Sequence, residues 1–349
     1  MKFQPDYHNI VDAAYNRVPA RLPLYEHLIS WSAMEEILGV KFAHLYSGPE
    51  QDKDAFFANY CRFFREMGYD IVTFEGCITS VLPNGGALGG HKQGAIGSWE
   101  EFEAYPWDQV EQLYFDMFAQ DFEALRRNMP EGMRAVGGVG NGVFECVQDL
   151  VGYMDLCYLR ADEPELYQEL FRKMGEVSLG IWKRFLREYG DVFCVCRFGD
   201  DLGFKSTTLL PPEDIRDNII PVYKQIIGAV HEAGKPFLLH SCGCIFNVME
   251  DLIGAGIDAK HSNEDQIARF PEWVERYGNR IGNFGGIDTD AVCRLPKDEM
   301  ERYIQDVVEK CQGHGGFAFG SGNSIPDYVP VDQYVHMVNC VRRLRGEEL

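Results

Sequence analysis

DVFCVCRFGDDLGFKSTTLLPPEDIRDNIIPVYKQIIGAVHEAGKPFLLHSC, residues 191–242, decides the fold. An apolar, β-branched run (191–199) leads through a polar turn to Pro211-Pro212-Glu213, which opens a stretch of helical periodicity to residue 233. A second apolar run, PFLLHSC (236–242), follows. Strand, crossover helix and strand in that order form a parallel βαβ unit.

The same alternation extends in both directions. Strands are expected at LPLYEH (22–27), DIVTFEG (70–76), MRAVGGVG (133–140), IDAKHS (257–262), RIGNFGGID (280–288) and GFAFGSG (316–322). Amphipathic stretches lie at 50–67, 108–127, 163–188, 296–312 and 331–345, and Pro296-Lys297-Asp298-Glu299 opens one of them. Eight strands, each followed by helix, predict an α/β fold, a closed (β/α)₈ TIM barrel forming a single domain over residues 1–349. An open doubly wound sheet is the alternative. The stretch 77–107, with Pro83, Asn84, Gly85 and Gly86, reads as an excursion over the mouth of the second strand.

Bulk properties exclude several function classes. The 349 residues carry 33 basic and 54 acidic groups, a net charge of -21, so a phosphate backbone is repelled and nucleic acid is not expected as a partner. The start, MKFQPDYHNIVDAAYNRVPARLP, has no apolar core of a secretory signal, and no run reaches the ~18 apolar residues of a membrane span. A cytoplasmic protein without membrane contact is expected. Eleven cysteines without scaffold spacing read as buried apolar thiols in a reducing compartment, a load that suits an anaerobe.

In a barrel of this kind chemistry gathers where strands end. Here those ends are Glu26-His27, Glu75-Gly76-Cys77, Asp200-Asp201, His240-Ser241-Cys242-Gly243-Cys244, His261, Asp288 and Asn323. Residues i and i+2 of an extended chain point to one side, so His240 and Cys242 can reach one ion. Imidazole with thiolate suits Zn²⁺, with the third ligand from Cys244 or another strand. The same three residues read equally as a core histidine beside two buried thiols. Asp200 and Asp201 either act on substrate as general base or orienting groups, or one caps a turn while the other meets solvent. GGVGNG (137–142) lacks the GxGxxG order, so no dinucleotide site is expected.

At these residues a resemblance emerges. GDDLGFKSTTLLPPEDIRDNIIPVYKQIIGAVHEAGKPFLLHSCGCI (199–245), IGNFGGIDTD (281–290), GSGNSIPDYVPVDQY (320–334) and RVPARLPLYEH (17–27) resemble the uroporphyrinogen decarboxylase superfamily, especially its corrinoid-dependent methyltransferase-like members. The resemblance implies a (β/α)₈ barrel. True decarboxylases carry an arginine-rich signature near the first strand, where this chain reads Pro23-Leu24-Tyr25-Glu26-His27, and Phe74-Glu75-Gly76 replaces an Asp-containing segment after the second. Thiol-methylating members bind zinc through an HxC pair after the fifth strand and a cysteine after the eighth. His240 and Cys242 match the pair; Asn323 stands at the third position, leaving Cys244, Glu75 or Asp288 as substitute ligands.

The implied function is a zinc-dependent methyltransferase exchanging a methyl group between a small methylated, for instance methoxylated, substrate and a corrinoid (cobalamin) on a partner protein. This is an O-demethylase direction of anaerobic metabolism. The chain lacks the DxHxxG-type signature of corrinoid-binding modules, hence the separate corrinoid-binding protein. Asp200, Asp201 and Glu75 are the expected catalytic groups, with Glu26, His27, His261, Asp288 and Asn323 around the substrate. The reading allows a homodimer. A methylcobalamin:thiol methyltransferase, a metal-free decarboxylase-like lyase and a non-catalytic tetrapyrrole-binding protein are the alternatives.

Overall fold

The computed structural model describes residues 3–90 and 92–348. Seven parallel strands hydrogen-bond in chain order: β1 Ile71–Cys77, β2 Arg134–Gly140, β3 Phe193–Gly199, β4 Phe237–His240, β5 Ala259–His261, β6 Gly282–Ile287 and β7 Phe317–Ser321. They form one curled sheet. Helices Val110–Asn128, Pro164–Tyr189, Ile220–Glu232, Met249–Ala255, Phe270–Tyr277 and Lys297–Cys311 lie in the crossovers, Glu50–Glu66 precedes β1 and Val331–Leu344 follows β7. The expected helix at 212–233 is divided by a π-helical turn at Ile215–Ile219, beside Pro221, which has no N–H for the regular ladder.

The strands are apolar on both faces because both are covered. Ile71, Val136, Leu238, Ala259, Phe284 and Ala318 face inward and pack on Ile10, Ala13 and Ala14 of the helix His8–Ala14. This helix lies against β3, β6 and β7 and seals the N-terminal ends of the strands. Gly282 and Gly316 make the seal possible, since a Cβ there would lie 2.2 Å and 1.9 Å from the Ala13 carbonyl oxygen. The outward faces join the helices in the larger apolar cluster.

The eighth strand expected from the sequence, at 22–27, does not form as a strand. The segment is tied to β7 by Tyr25 N–H to Phe319 O (2.8 Å) and Phe319 N–H to Pro23 O (2.9 Å), a single bridge at Leu24. Pro23 has no N–H to extend the ladder. The approach depends on Gly320, where a Cβ would meet the Tyr25 carbonyl oxygen at 1.7 Å. Segment 77–107 contains the short helix Trp99–Ala104 and is anchored on helix Val143–Val151, with the Asp149 carboxylate accepting from Gly86 N–H (2.9 Å) and Leu88 N–H (3.3 Å).

Candidate active site

His240 ends β4 and His261 ends the neighbouring β5, paired in register, so their rings meet inside the sheet. His261 Nε2 lies 3.1 Å from the Ser321 carbonyl oxygen, which can only accept. The proton therefore sits on His261 Nε2 and leaves Nδ1 as an acceptor. His240 Nδ1, 2.7 Å away, donates to it. This order holds because burial keeps both rings neutral: it lowers His261 to about 3 and holds His240 well below the usual imidazole range. The consequence is a bare Nε2 on His240.

That nitrogen faces the Cys242 sulfur at 3.4 Å and Asp201 Oδ1 at 3.8 Å. Asp201 Oδ1 also accepts from Cys242 N–H at 2.9 Å. Asn323 Nδ2 reaches the same sulfur at 3.4 Å and Ser262 Oγ at 3.8 Å. Without a cation the thiol stays protonated, because burial first and Asp201 second push it up to about 12. Imidazole, thiol and carboxylate donors thus converge, all within 4.8 Å of one another. Zn–N of ~2.0 Å and Zn–S of ~2.3 Å at a tetrahedral angle require roughly 3.5 Å between nitrogen and sulfur. The donor set fits zinc in kind and spacing.

A second triplet, His27, His240 and His261, is equally compact. His27 stacks on His240 with ring centroids 3.8 Å apart and planes inclined by 12°. Imidazole lone pairs lie in the ring plane, so these two near-parallel rings do not aim at one ion. His27 forms the inner wall of the site.

The other expected site residues divide by side-chain direction. Glu75 points inward, but its Oε2 accepts from buried Arg197 at 2.6 Å. Arg197 also donates to Tyr25 OH and the His27 carbonyl, both at 2.9 Å. Glu26 faces outward, between its inward neighbours Tyr25 and His27, and its carboxyl holds the Ser321 N–H (2.9 Å) and Oγ (2.5 Å). Burial raises Glu26 to about 8. Asp200, expected to be catalytic, is turned away from the cavity and caps helix Val143–Val151, accepting from Phe144 N–H (3.1 Å), Glu145 N–H (2.8 Å) and Tyr223 OH (2.7 Å). Burial lifts its carboxyl to about 7 against those three donors. Cys244 does not join the sulfur and imidazole: Gly243 has φ +81° and turns the chain, and Cys244 N–H bonds Phe204 O at 2.6 Å. Asp288 caps the helix Thr289–Arg294 through Asp290 N–H at 2.7 Å.

Glu145 escaped the sequence reading. Its Oε1 accepts from Asp201 N–H (3.3 Å) and its Oε2 from Asn141 (2.8 Å), and burial, then Asp200 and Asp201, raise its carboxyl well above the usual range. Arg197 was legible in principle, as a charge inside an apolar strand that had to find a partner. A cleft of about 260 Å³ opens on the Cys242 side, lined among others by Glu264, Asp288, Asn323 and Tyr328. It is smaller than the ~300–1,000 Å³ usual for ligand pockets and admits a small group beside the sulfur.

A methyltransferase structure from Methanosarcina mazei is similar over 96% of this chain and 98% of its own, with a TM-score of 0.72 at 14% identity, a likeness of fold. Curated relatives named uroporphyrinogen decarboxylase are 25% identical over 136 residues in Geobacter sulfurreducens and 23% over 192 residues in Syntrophotalea carbinolica. These alignments cover 39% of this chain and 39% of the first relative, and 55% and 53% for the second, so the chain spans about half or less of their length. The profile of the uroporphyrinogen decarboxylase (URO-D) family matches residues 51–344, from the helix before β1 to the last turn of the final helix. With the parallel strands and the strand-end histidines inside that span, the chain belongs to the uroporphyrinogen decarboxylase (URO-D) family.

Proposed function

We propose that this protein is a methyltransferase that moves a methyl group between a small methylated substrate and a corrinoid carried on a separate protein, with zinc held by His240, Cys242 and Asp201. The observation that carries the reading is the bare His240 Nε2 facing the Cys242 sulfur at 3.4 Å, with Asp201 alongside. A metal bound there supplies Lewis acidity toward a leaving oxygen or keeps an acceptor sulfur as thiolate. The chain's own groups do the rest. Cys242 releases its proton on ligation, and Asn323 and Ser262 orient its sulfur. Asp201, its side chain 45% exposed, completes the donor set, and solvent at the open mouth supplies the proton to a leaving oxygen. Phe204 and Tyr328, 62% and 73% exposed, supply apolar contact at the rim for the large partner.

The names of the curated relatives favour a second reading, decarboxylation of a tetrapyrrole carboxylate. Two features oppose it. The inward Arg197 is committed to Glu75, Tyr25 and the His27 carbonyl. The cleft is lined by Asp288 and by Glu264, which already takes up Lys205, so among the described residues its walls offer no free cation to a carboxylate. The deciding experiment purifies the protein without chelators, measures zinc, and mixes it with a cobalt(I) corrinoid protein and a panel of methoxylated and other methylated compounds. Methyl-cobalt formation supports the reading. Methylation of a thiol by methylcobalamin selects the reverse direction. Negligible zinc together with loss of a tetrapyrrole carboxylate replaces it with the decarboxylase.

A further inference from the structure

In the outer layer, helix Val331–Leu344 presents His336 and Cys340 four residues apart, so both side chains lie on one face. That face meets helix Lys297–Cys311 at Glu301. The three donor atoms form a small triangle: His336 Nε2 to Cys340 Sγ 3.6 Å, His336 Nε2 to Glu301 Oε1 3.4 Å, and Cys340 Sγ to Glu301 Oε1 3.9 Å. Tetrahedral zinc with nitrogen, sulfur and oxygen ligands spaces them by roughly 3.4–3.6 Å. Two of the edges match one face of such a tetrahedron, and the sulfur–carboxylate edge, at 3.9 Å, closes to it with a small rotation of the Glu301 side chain.

We infer that Glu301, His336 and Cys340 form a second metal site, for zinc or a comparably soft divalent ion, that cross-links the two helices following β6 and β7.

The neighbouring groups agree with a site that takes up an ion. Arg343 Nη2 now donates to Glu301 Oε1 (2.7 Å) and to the Cys340 sulfur (3.1 Å), so a positive charge already sits beside the anionic donors. The Arg343 side chain is 46% exposed and can rotate into solvent. His336 Nε2 lies 3.2 Å from the Lys297 carbonyl oxygen, and ligation moves its proton to Nδ1, the other neutral tautomer. Cys340 gives its proton to solvent on binding. A cleft of about 140 Å³ alongside, lined by Glu301, Cys340 and Arg343, gives the ion and its water access. The site is independent of the mouth, so its existence does not rest on the proposed reaction.

Equilibrium dialysis against zinc tests it, comparing wild type with His336→Ala, Cys340→Ser, Glu301→Gln and, for the mouth, His240→Ala. The expected result is two equivalents per chain in wild type and one each in His336→Ala, Cys340→Ser and His240→Ala. Zinc should raise the melting temperature of His240→Ala and not that of the double variant with His336→Ala. In the His240→Ala background, cobalt(II) should give a thiolate charge-transfer band that Cys340→Ser removes. Glu301 is half-exposed and its Gln variant is close in size and shape, so weaker binding there reads the site and not misfolding. A single equivalent in wild type, kept in full by His240→Ala and absent from His336→Ala, supports this site and sinks the mouth reading. Unchanged zinc content and cobalt spectrum in His336→Ala and Cys340→Ser overturn the proposal.

Discussion

Asp200 and Asp201 are joined by a peptide bond and serve opposite sides of the wall: Asp200 holds Tyr223 OH at 2.7 Å behind the sheet, while Asp201 holds Cys242 N–H at 2.9 Å at the mouth. Their substitutions should therefore separate cleanly. Asp201→Asn is expected to cut turnover at least tenfold and weaken metal binding, with a melting temperature within a degree or two of wild type. Normal turnover in Asp201→Asn would falsify its place at the reacting end.

Asp200→Ala should behave in the reverse way. It removes the acceptor for two helix N–H groups and one buried hydroxyl, each worth about 1 kcal/mol or more when left unmet. A loss of about 2–4 kcal/mol in denaturant unfolding is expected, with residual activity in whatever protein stays folded. A variant as stable as wild type would show that the capping bonds contribute nothing.

His261 acts through His240. Replacing it with Leu removes the acceptor that fixes the proton on His240 Nδ1, so the bare Nε2 is no longer guaranteed. Zinc affinity should fall roughly 10–100-fold, as for other groups that orient a metal-binding imidazole. Competition with a chelator of known affinity measures this. Equal affinity in His261→Leu would remove the positioning role.

Glu26 predicts a pH effect of definite sign. Its folded pKa of about 8 stands above the ordinary carboxyl value, so the folded protein binds its proton more tightly than the unfolded chain does. The contribution is intact at low pH and is lost as pH rises toward and through 8. Between pH 6 and pH 8 the loss is about 2 kcal/mol at 1.36 kcal/mol per unit. Glu26→Gln, which cannot ionise, should melt with a flatter pH dependence over that interval. Parallel curves for the two proteins would contradict the buried neutral acid.

The sheet was legible because parallel strands are apolar on both faces, and runs such as 191–199 and 236–242 became β3 and β4 within a few residues. The HxC pair was legible because i and i+2 share a side. What failed needed three dimensions. Alternation alone cannot say whether Glu26 or His27 faces inward, and the structure turns His27 in and Glu26 out. The left-handed turn at Gly243 removed Cys244 from a pattern that spacing had made regular. Asp200 caps a helix more than fifty residues upstream, and Glu145 enters the site from that same helix; no local pattern encodes either contact.

The sealed floor has a kinetic consequence. With Ile10, Ala13 and Ala14 packed under the inward faces of the strands, that end of the interior is closed, and the site at the strand ends opens at the mouth. On the proposed reaction, a small substrate and a protein partner that share this mouth cannot arrive in either order: once the larger covers the rim, the smaller can neither enter nor leave. Initial-rate patterns should then be compulsory-ordered, with the small molecule bound first and released last, and excess partner should inhibit by closing the door on an empty room.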